Sequence, residues 1–383
     1  MVMFSSPDPT RSVRSGSRRA GWALLLVTVF AAAGVSLVPA PYVINQPGPT
    51  YDTLGDVQVD DHEVPLITVH GEPEHPELAE IRMTTVTRLG SPESLPSWGE
   101  VIAAWLSPER AILPVEQAFP PGLTYEQTRE AARIDMQNSQ QEAIAAALGY
   151  LDIPYDSFLV VVQAMEGGPS EGVFEPGDIV LRAGGVEVRD VTKLRALIAD
   201  NGTQTPIDIV VDRDGVELDL QVLPKMSDGP EPFPAVGVLV SGQYSFPVDV
   251  EIQLSNVGGP SAGLPFALGI IERMTDELIA DSLMISATGT ISADGTVGGV
   301  GGVLQKAYGA SAAGSEYFLI PRSNCDLVPQ ESVRGTRIVP VNSLSEAIDV
   351  LDKIQQGESL PSCTQPQGAS PSEESQGVGA KGL

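Results

Sequence analysis

Asn256-Val257-Gly258-Gly259-Pro260-Ser261-Ala262-Gly263 runs directly into the apolar stretch 264–274. Val248, Val250, Ile252 and Leu254 alternate ahead of it as in a strand. Leu264, Ala267, Leu268 and Ile271 recur behind it at helical spacing. The pattern is strand, glycine turn, helix, with Pro260 suited to the first helical turn. Ser261 then stands at or near a helix N-terminus, where backbone N–H groups without helical partners favour a developing negative charge. Serine in a glycine turn is also a common helix cap, so Ser261 alone decides nothing.

Residues 259–263 also fit G-x-S-x-G, the serine turn of α/β hydrolases, in which an acid and then a histidine follow the serine. His62, His70 and His75 all lie far upstream. A serine nucleophile still needs a base. Lysines are scarce: Lys193, Lys225, Lys306, Lys353 and Lys381. Lys306 sits well inside the apolar pattern that follows Ser261, in Gly301-Gly302-Val303-Leu304-Gln305-Lys306. Val303, Leu304, Ala307, Tyr308 and Ala310 around it predict a half-buried helix. A desolvated lysine binds its proton less tightly and serves as a base near neutral pH. The plain alternative is a surface lysine whose stem lies along the helix.

Gly-Pro-Ser-Ala-Gly at 259–263, Thr288-Gly289 and the 301–306 segment together resemble the proteolytic domain of the Lon protease family. The resemblance implies a Ser261–Lys306 dyad, with Ser261 attacking the peptide carbonyl and Lys306 as its base. Thr288 matches a family threonine near that lysine. The acidic position that follows in the family is Thr290 here, a departure. The resemblance also implies a ring-forming protein, with a homo-oligomer such as a hexamer by analogy.

The chain has 383 residues, enough for two or three domains. Its net charge of −28 argues against nucleic acid and anionic membrane surfaces as partners. Residues 1–20 are rich in serine and arginine, and residues 21–38 carry no charge. That length just reaches a membrane span, and the preceding arginines place the N-terminus in the cytoplasm. We expect a retained signal-anchor over 21–39 rather than a cleaved signal peptide, because Pro39 and Pro41 flank the small-residue site. Everything beyond then lies outside the membrane. For Cys325 and Cys363, two states stay open: a bridge pinning the tail, or two free thiols.

Residues 41–149 predict a β-rich and then helical segment, which the resemblance allows as the first part of the Lon-like domain. Strand-like runs lie at 42–44, 64–69 and 81–86, and a short helix is predicted over 99–106. Thr124-Tyr125-Glu126-Gln127 is a capping-box pattern for a helix reaching Leu148, with Gly149 as its stop. The three histidines lack metal-ligand spacing and are expected in solvated loops.

Residues 150–225 resemble a PDZ domain. The resemblance rests on Phe158-Leu159-Val160-Val161-Val162, residues 167–174, Glu175-Pro176-Gly177-Asp178-Ile179-Val180-Leu181 and residues 184–188. Read from the residues alone, this is a small β-barrel-like module with one amphipathic helix. Residues 226–235 predict a linker, 236–355 the Lon-like segment and 356–383 a disordered tail.

The expected fold class is therefore multidomain: an N-terminal transmembrane helix, a PDZ β-barrel-like module and an α+β Lon-type proteolytic domain. The expected function is a membrane-anchored serine endopeptidase whose PDZ groove takes polypeptide substrates as an added strand. No G-x-x-x-x-G-K-[ST] occurs, so no ATP site and no other cofactor is expected in this chain. Its substrates would be unfolded or flexible extracytoplasmic polypeptides. The rival is a catalytically silent PDZ scaffold or adaptor of the cell envelope, which would tolerate losing Ser261 or Lys306; both are present.

Overall fold

The structure, a computed structural model, describes residues 37–59, 62–71, 79–119, 125–189, 191–227, 233–254, 257–275 and 283–364, with short helical pieces between 21 and 35. The expected basic tail 1–20 and most of the C-terminal tail lie outside the described residues, as does part of the expected span 21–39. Among the described residues no helix is long and apolar enough to cross a membrane. The chain divides into two units: residues 1–46 with 88–125, and residues 47–87 with 126–383.

In the first unit, the start of strand β1 (Tyr42–Asp52) pairs antiparallel with β6 (Ala111–Pro114), from Tyr42↔Pro114 to Asn45↔Ala111. Helix α1 (Trp98–Trp105) begins one residue before the predicted start. Its N-cap Ser97 and Glu100 form a reciprocal capping box, which satisfies two otherwise unpaired N–H groups. Trp98 N–H donates to the Val38 carbonyl. Ala40, Ile44, Val101 and Ala104 form a small core, and the one-turn helix α2 (Val115–Ala118) follows β6.

In the second unit, one sheet runs in the order β20 (Ser332–Val333), β21 (Thr336–Val341), β19 (Tyr317–Pro321), β16 (Met284–Ala287), β5 (Glu80–Leu89), β1. β16 is parallel to both β5 and β19, and β19 is parallel to β21. Strands far apart in sequence thus share one sheet. Alternation along the strands gives it two apolar faces. Leu319 and Val339 join the cluster holding Phe266, Leu268 and Leu351; Phe318, Ile320 and Ile338 join the one holding Val303 and Ala307. Helices α5 (Gly263–Thr275) and α7 (Leu344–Gln356) therefore cover one face, and α6 (Val303–Ala312) the other. Beside them lie the hairpin β2 (Asp56–Val59)–β3 (His62–Pro65), the pair β17 (Thr290–Ile291)–β18 (Val297–Gly298), and β15 (Val250–Ile252) paired with β4 (Ile67–Val69).

Helix α3 (Tyr125–Tyr150) runs past its predicted stop. The left-handed residue at its end is Asp152, at φ 55°, and Ile153 N–H donates to the Leu148 carbonyl. Asp is one of the few residues other than glycine that adopts this cap conformation. Leu148, Gly149 and Tyr150 all lie within the helix.

The inserted module has its own core, including Leu159, Val161, Val180, Leu194, Ile198 and Val211. Its sheet runs β11 (Val216–Val222), β10 (Ile207–Arg213), β8 (Ile179–Ala183), β7 (Asp156–Ala164), β14 (Val238–Ser245), with β9 (Val186–Glu187) beside β8 and helix α4 (Val191–Asn201). Buried Asp178 is held by both arms of Arg213, at 2.6 and 2.7 Å. Two expectations are corrected here. The segment expected as linker and start of the Lon-like domain contains the strand pair β12 (Lys225–Met226)–β13 (Pro234–Ala235) and then β14, which extends the module's sheet to Ser245. The tail is ordered beyond Gln356: Leu360 is buried and Cys363 is bonded to Cys325, with 5.3 Å between their Cα atoms.

Candidate active site

Glycines shape the loop before α5. Gly258 packs against Ala132 of α3, and Gly259, at φ 91°, donates its N–H to the Ala132 carbonyl at 2.8 Å. Ser139, also on α3 and buried, donates to the Pro260 carbonyl at 3.0 Å. The helical proline of the first turn is Pro265, not Pro260; its missing N–H falls where no intrahelical partner exists. The first α5 bond runs from Phe266 N–H to the Ala262 carbonyl, so Ser261 stands just ahead of the helix.

Gly263 is fixed by close approach. A Cβ there would stand 2.8 Å from Ile291 Cγ2 and 2.9 Å from the Ile291 backbone N. We expect Gly263→Ala to destabilise the fold by about 1–3 kcal/mol, the range for overpacking. Equal denaturation midpoints for the two proteins would refute this.

The Ser261 carbonyl accepts two bonds, from Gly289 N–H at 3.1 Å and from Thr288 Oγ1 at 3.1 Å. Thr288 immediately follows β16, at the carboxyl end of a parallel strand, where open α/β sheets place their sites. Lys306 projects from α6. That helix starts at Gly302, at φ 65°, where a Cβ would meet Val86 Cγ2 at 2.7 Å. Lys306 Nζ donates to Ser261 Oγ at 2.5 Å and to Thr288 Oγ1 at 2.9 Å.

Lys306 is 3 % exposed, and burial pushes its amine down from 10.5 to about 7. Among the described residues no carboxylate pairs with it. A large fraction of the amine is therefore neutral near pH 7. Thr288 fixes where its lone pair goes. The threonine hydroxyl donates to the Ser261 carbonyl, so toward Lys306 it acts as acceptor. A neutral Lys306 then gives an N–H to Thr288 and turns its lone pair toward the Ser261 hydroxyl. The arrangement can deprotonate a serine without a histidine.

The structure thus brings Ser261, Thr288 and Lys306 together from three separate elements. Thr290 pairs with Gly298 between β17 and β18. His70 faces Asp249 and Glu251, both at 3.9 Å, and His75 lies outside the described residues. Sequence reasoning missed Ala132 and Ser139. Nothing in the sequence singles them out, since the same helix carries alanine at 131, 132, 143 and 145–147.

The site sets a serine hydroxyl against a buried lysine amine, an arrangement chemically suited to activating the serine without a histidine. Residues 255–353 match the Lon protease (S16) C-terminal proteolytic domain and residues 134–223 match the PDZ domain. The chain thus carries one stretch similar to a Lon proteolytic domain and one similar to a PDZ domain. It is similar to a Lon protease from Chloroflexus aurantiacus, 38% identical over 24% of this chain and 11% of that protein. It is also similar to an archaeal Lon protease from Halobacterium salinarum, 35% identical over 27% of this chain and 15% of that one. The chain thus spans only a small part of the curated relatives it matches. A PDZ domain of an SdrC-like protein from Listeria innocua matches 22% of this chain and 92% of its own length, at 14% identity and a TM-score of 0.20.

Proposed function

We propose that this protein is a membrane-anchored serine endopeptidase that works without ATP and cleaves unfolded or flexible extracytoplasmic polypeptides. One observation carries the catalytic part: a buried lysine amine, unpaired with any described carboxylate, 2.5 Å from Ser261 Oγ. Lys306 takes the Ser261 proton as Oγ bonds to the peptide carbonyl carbon. The negative charge on the carbonyl oxygen is met by backbone N–H groups at the start of α5. As the C–N bond breaks, Lys306 returns the proton to the leaving amine, leaving an ester on Ser261. Lys306 then deprotonates a water that attacks the ester, and the serine is regenerated. Labelling the purified protein with a serine-reactive fluorophosphonate tests this reading: wild type should be labelled and Ser261→Ala should not. Equal labelling of both would sink it.

The uncharged stretch 21–38 supports the anchor, and the Cys325–Cys363 bridge supports an oxidising exterior for the catalytic part. Carbonate-resistant membrane association, lost on removing residues 1–38, is the expected outcome; a freely soluble full-length chain would refute the anchor.

The PDZ module is assigned the choice of substrate. Asp156 and Ser245 are direct partners across β7 and β14, so the module leaves and re-enters the Lon-like domain at neighbouring points. A short Gly/Ser linker in place of 156–245 should leave kcat/KM for a small unstructured peptide within about twofold. For a long substrate that docks by its tail, kcat/KM should fall at least about tenfold, mainly through KM. An equal loss for both would make the module a structural support instead.

A further inference from the structure

Helix α1 is apolar on both sides. Val101 and Ala104 face inward, against Ala40 and Ile44, and Trp98 packs edge-on against Tyr42 at 5.8 Å. Ile102, Trp105 and the C-cap Leu106 share the other side at i, i+3 and i+4 spacing, and are 51, 78 and 75 % exposed. Glu100 is the only charged side chain of the helix, and the capping box with Ser97 occupies it. A helix apolar on all sides belongs inside something, protein or lipid.

What the outer face meets is set by where α1 is attached. Trp98 N–H donates to the Val38 carbonyl at 3.0 Å, and Ala40 N–H donates to the Pro96 carbonyl at 2.8 Å. Pro39 and Ser97 form an antiparallel bridge between those two bonds. The N-terminus of α1 is thus fastened to the residues that end the uncharged stretch 21–38, where Leu37 and Val38 are themselves exposed. At about 1.5 Å per residue, Leu106 lies about 12 Å along the helix from that point. A bilayer holding 21–38 therefore passes close to this face. The chain's three tryptophans fall in the same two places: Trp22 near the start of the uncharged stretch, Trp98 and Trp105 at the two ends of α1. Tryptophan collects at the two water–lipid interfaces, one at each end of a span.

We propose that α1 is a second membrane contact of this protein: its outer face of Ile102, Trp105 and Leu106 lies in the interfacial zone of the bilayer beside the end of the anchor. This rests on the anchor proposed over 21–38 and adds to it a surface of the folded part. The partner is lipid with zwitterionic headgroups. A chain of net charge −28 gains nothing from an anionic surface, and the face itself carries no charge, so partition of apolar side chains drives the contact. A helix held there, and fastened at its N-terminus to the anchor, stops the first unit from turning about the anchor's axis.

Both cysteines of the chain are in the Cys325–Cys363 bridge, so a single introduced thiol is labelled selectively in the unreduced protein. The test uses full-length protein in phosphatidylcholine vesicles, with Leu106→Cys carrying the environment-sensitive dye NBD. An interfacial helix face lies about 5–10 Å into the headgroup boundary, so nitroxide lipid labelled near the headgroup should quench the dye at least about twofold more than lipid labelled near the chain end. With the dye at the neighbouring exposed position, Ala103→Cys, the same preference is expected, and Ile102→Ser/Trp105→Ser/Leu106→Ser should remove it. Those three side chains are exposed, so their loss should leave the fold unchanged. Carbonate extraction of the same vesicles separates this proposal from the anchor. Protein that resists carbonate while its dye at position 106 stays in water, quenched by neither lipid, would overturn the proposal and leave the anchor standing. Protein washed off by carbonate would overturn both. A dye shielded from water but quenched by neither lipid, and exposed again when the protein is diluted in the membrane, would put a second copy on this face and overturn the proposal.

Discussion

Ser261→Ala should lower kcat/KM against an unfolded polypeptide by at least about 10⁴-fold, the scale seen when a nucleophile is removed from a hydrolytic site. The substitution deletes one oxygen at a half-buried position just ahead of α5. It leaves in place the Ser261 carbonyl, which Gly289 and Thr288 hold, so the loop keeps its anchor. It leaves Thr288 as a partner for Lys306, so the amine keeps one of its two hydrogen bonds. The thermal midpoint should therefore stay within a few degrees of wild type, and substrate binding should persist. Removing any other group here has a smaller expected effect. Thr288→Val, for example, keeps both nucleophile and base and loses only the hydroxyl that orients the amine. Undiminished turnover by clean Ser261→Ala protein would mean that another residue attacks the peptide bond.

The two ends of this site were legible because each lies in a run with its own period. The glycine turn feeding an apolar helix marks Ser261, and the scarcity of lysines in apolar surroundings marks Lys306. Their buttress was not legible. Ala132 and Ser139 reach the loop only through the packing of α3 over it, a contact between residues more than a hundred positions apart. The end of α3 misled for a local reason: Gly149 looks like a stop, but Asp152 tolerates the left-handed conformation and the helix runs on. β14 was hidden because Pro and Gly dominate 226–235, and a linker composition says nothing about which edge the following valines pair with. The strand alternation read into 248–254 shrank to Val250–Ile252 in the structure, the three residues in register with β4, with Asp249 and Gln253 adding one backbone bond each to His70 and Leu66.

Lys306→Arg should be nearly as damaging as Lys306→Met, with losses of about 10³-fold or more in kcat/KM for both. Arginine keeps the positive charge and hydrogen-bonding capacity, but it does not deprotonate at any working pH. A role that was only electrostatic would survive this change; a role as base would not. The wild-type pH profile separates the two further. Burial holds the Lys306 amine at about 7, so kcat/KM should climb as pH rises through that value and then level off. Stability supplies an independent readout. The folded state binds the Lys306 proton only below about 7, whereas the unfolded chain binds it up to 10.5. Between those values the unfolded state holds more protons, so this group's contribution rises with pH and is least favourable at and below pH 7. Lys306→Met removes that penalty in a buried site of matching length. It should therefore raise the stability at pH 7, by about 4 kcal/mol at most, while abolishing hydrolysis. The expected pair of results, a more stable protein and a dead one, has no counterpart for a surface lysine. Lys306→Arg with most of its activity retained, or a flat activity profile between pH 6 and 9, would remove Lys306 from the role of base (both pH limits set about one to two units either side of its shifted value).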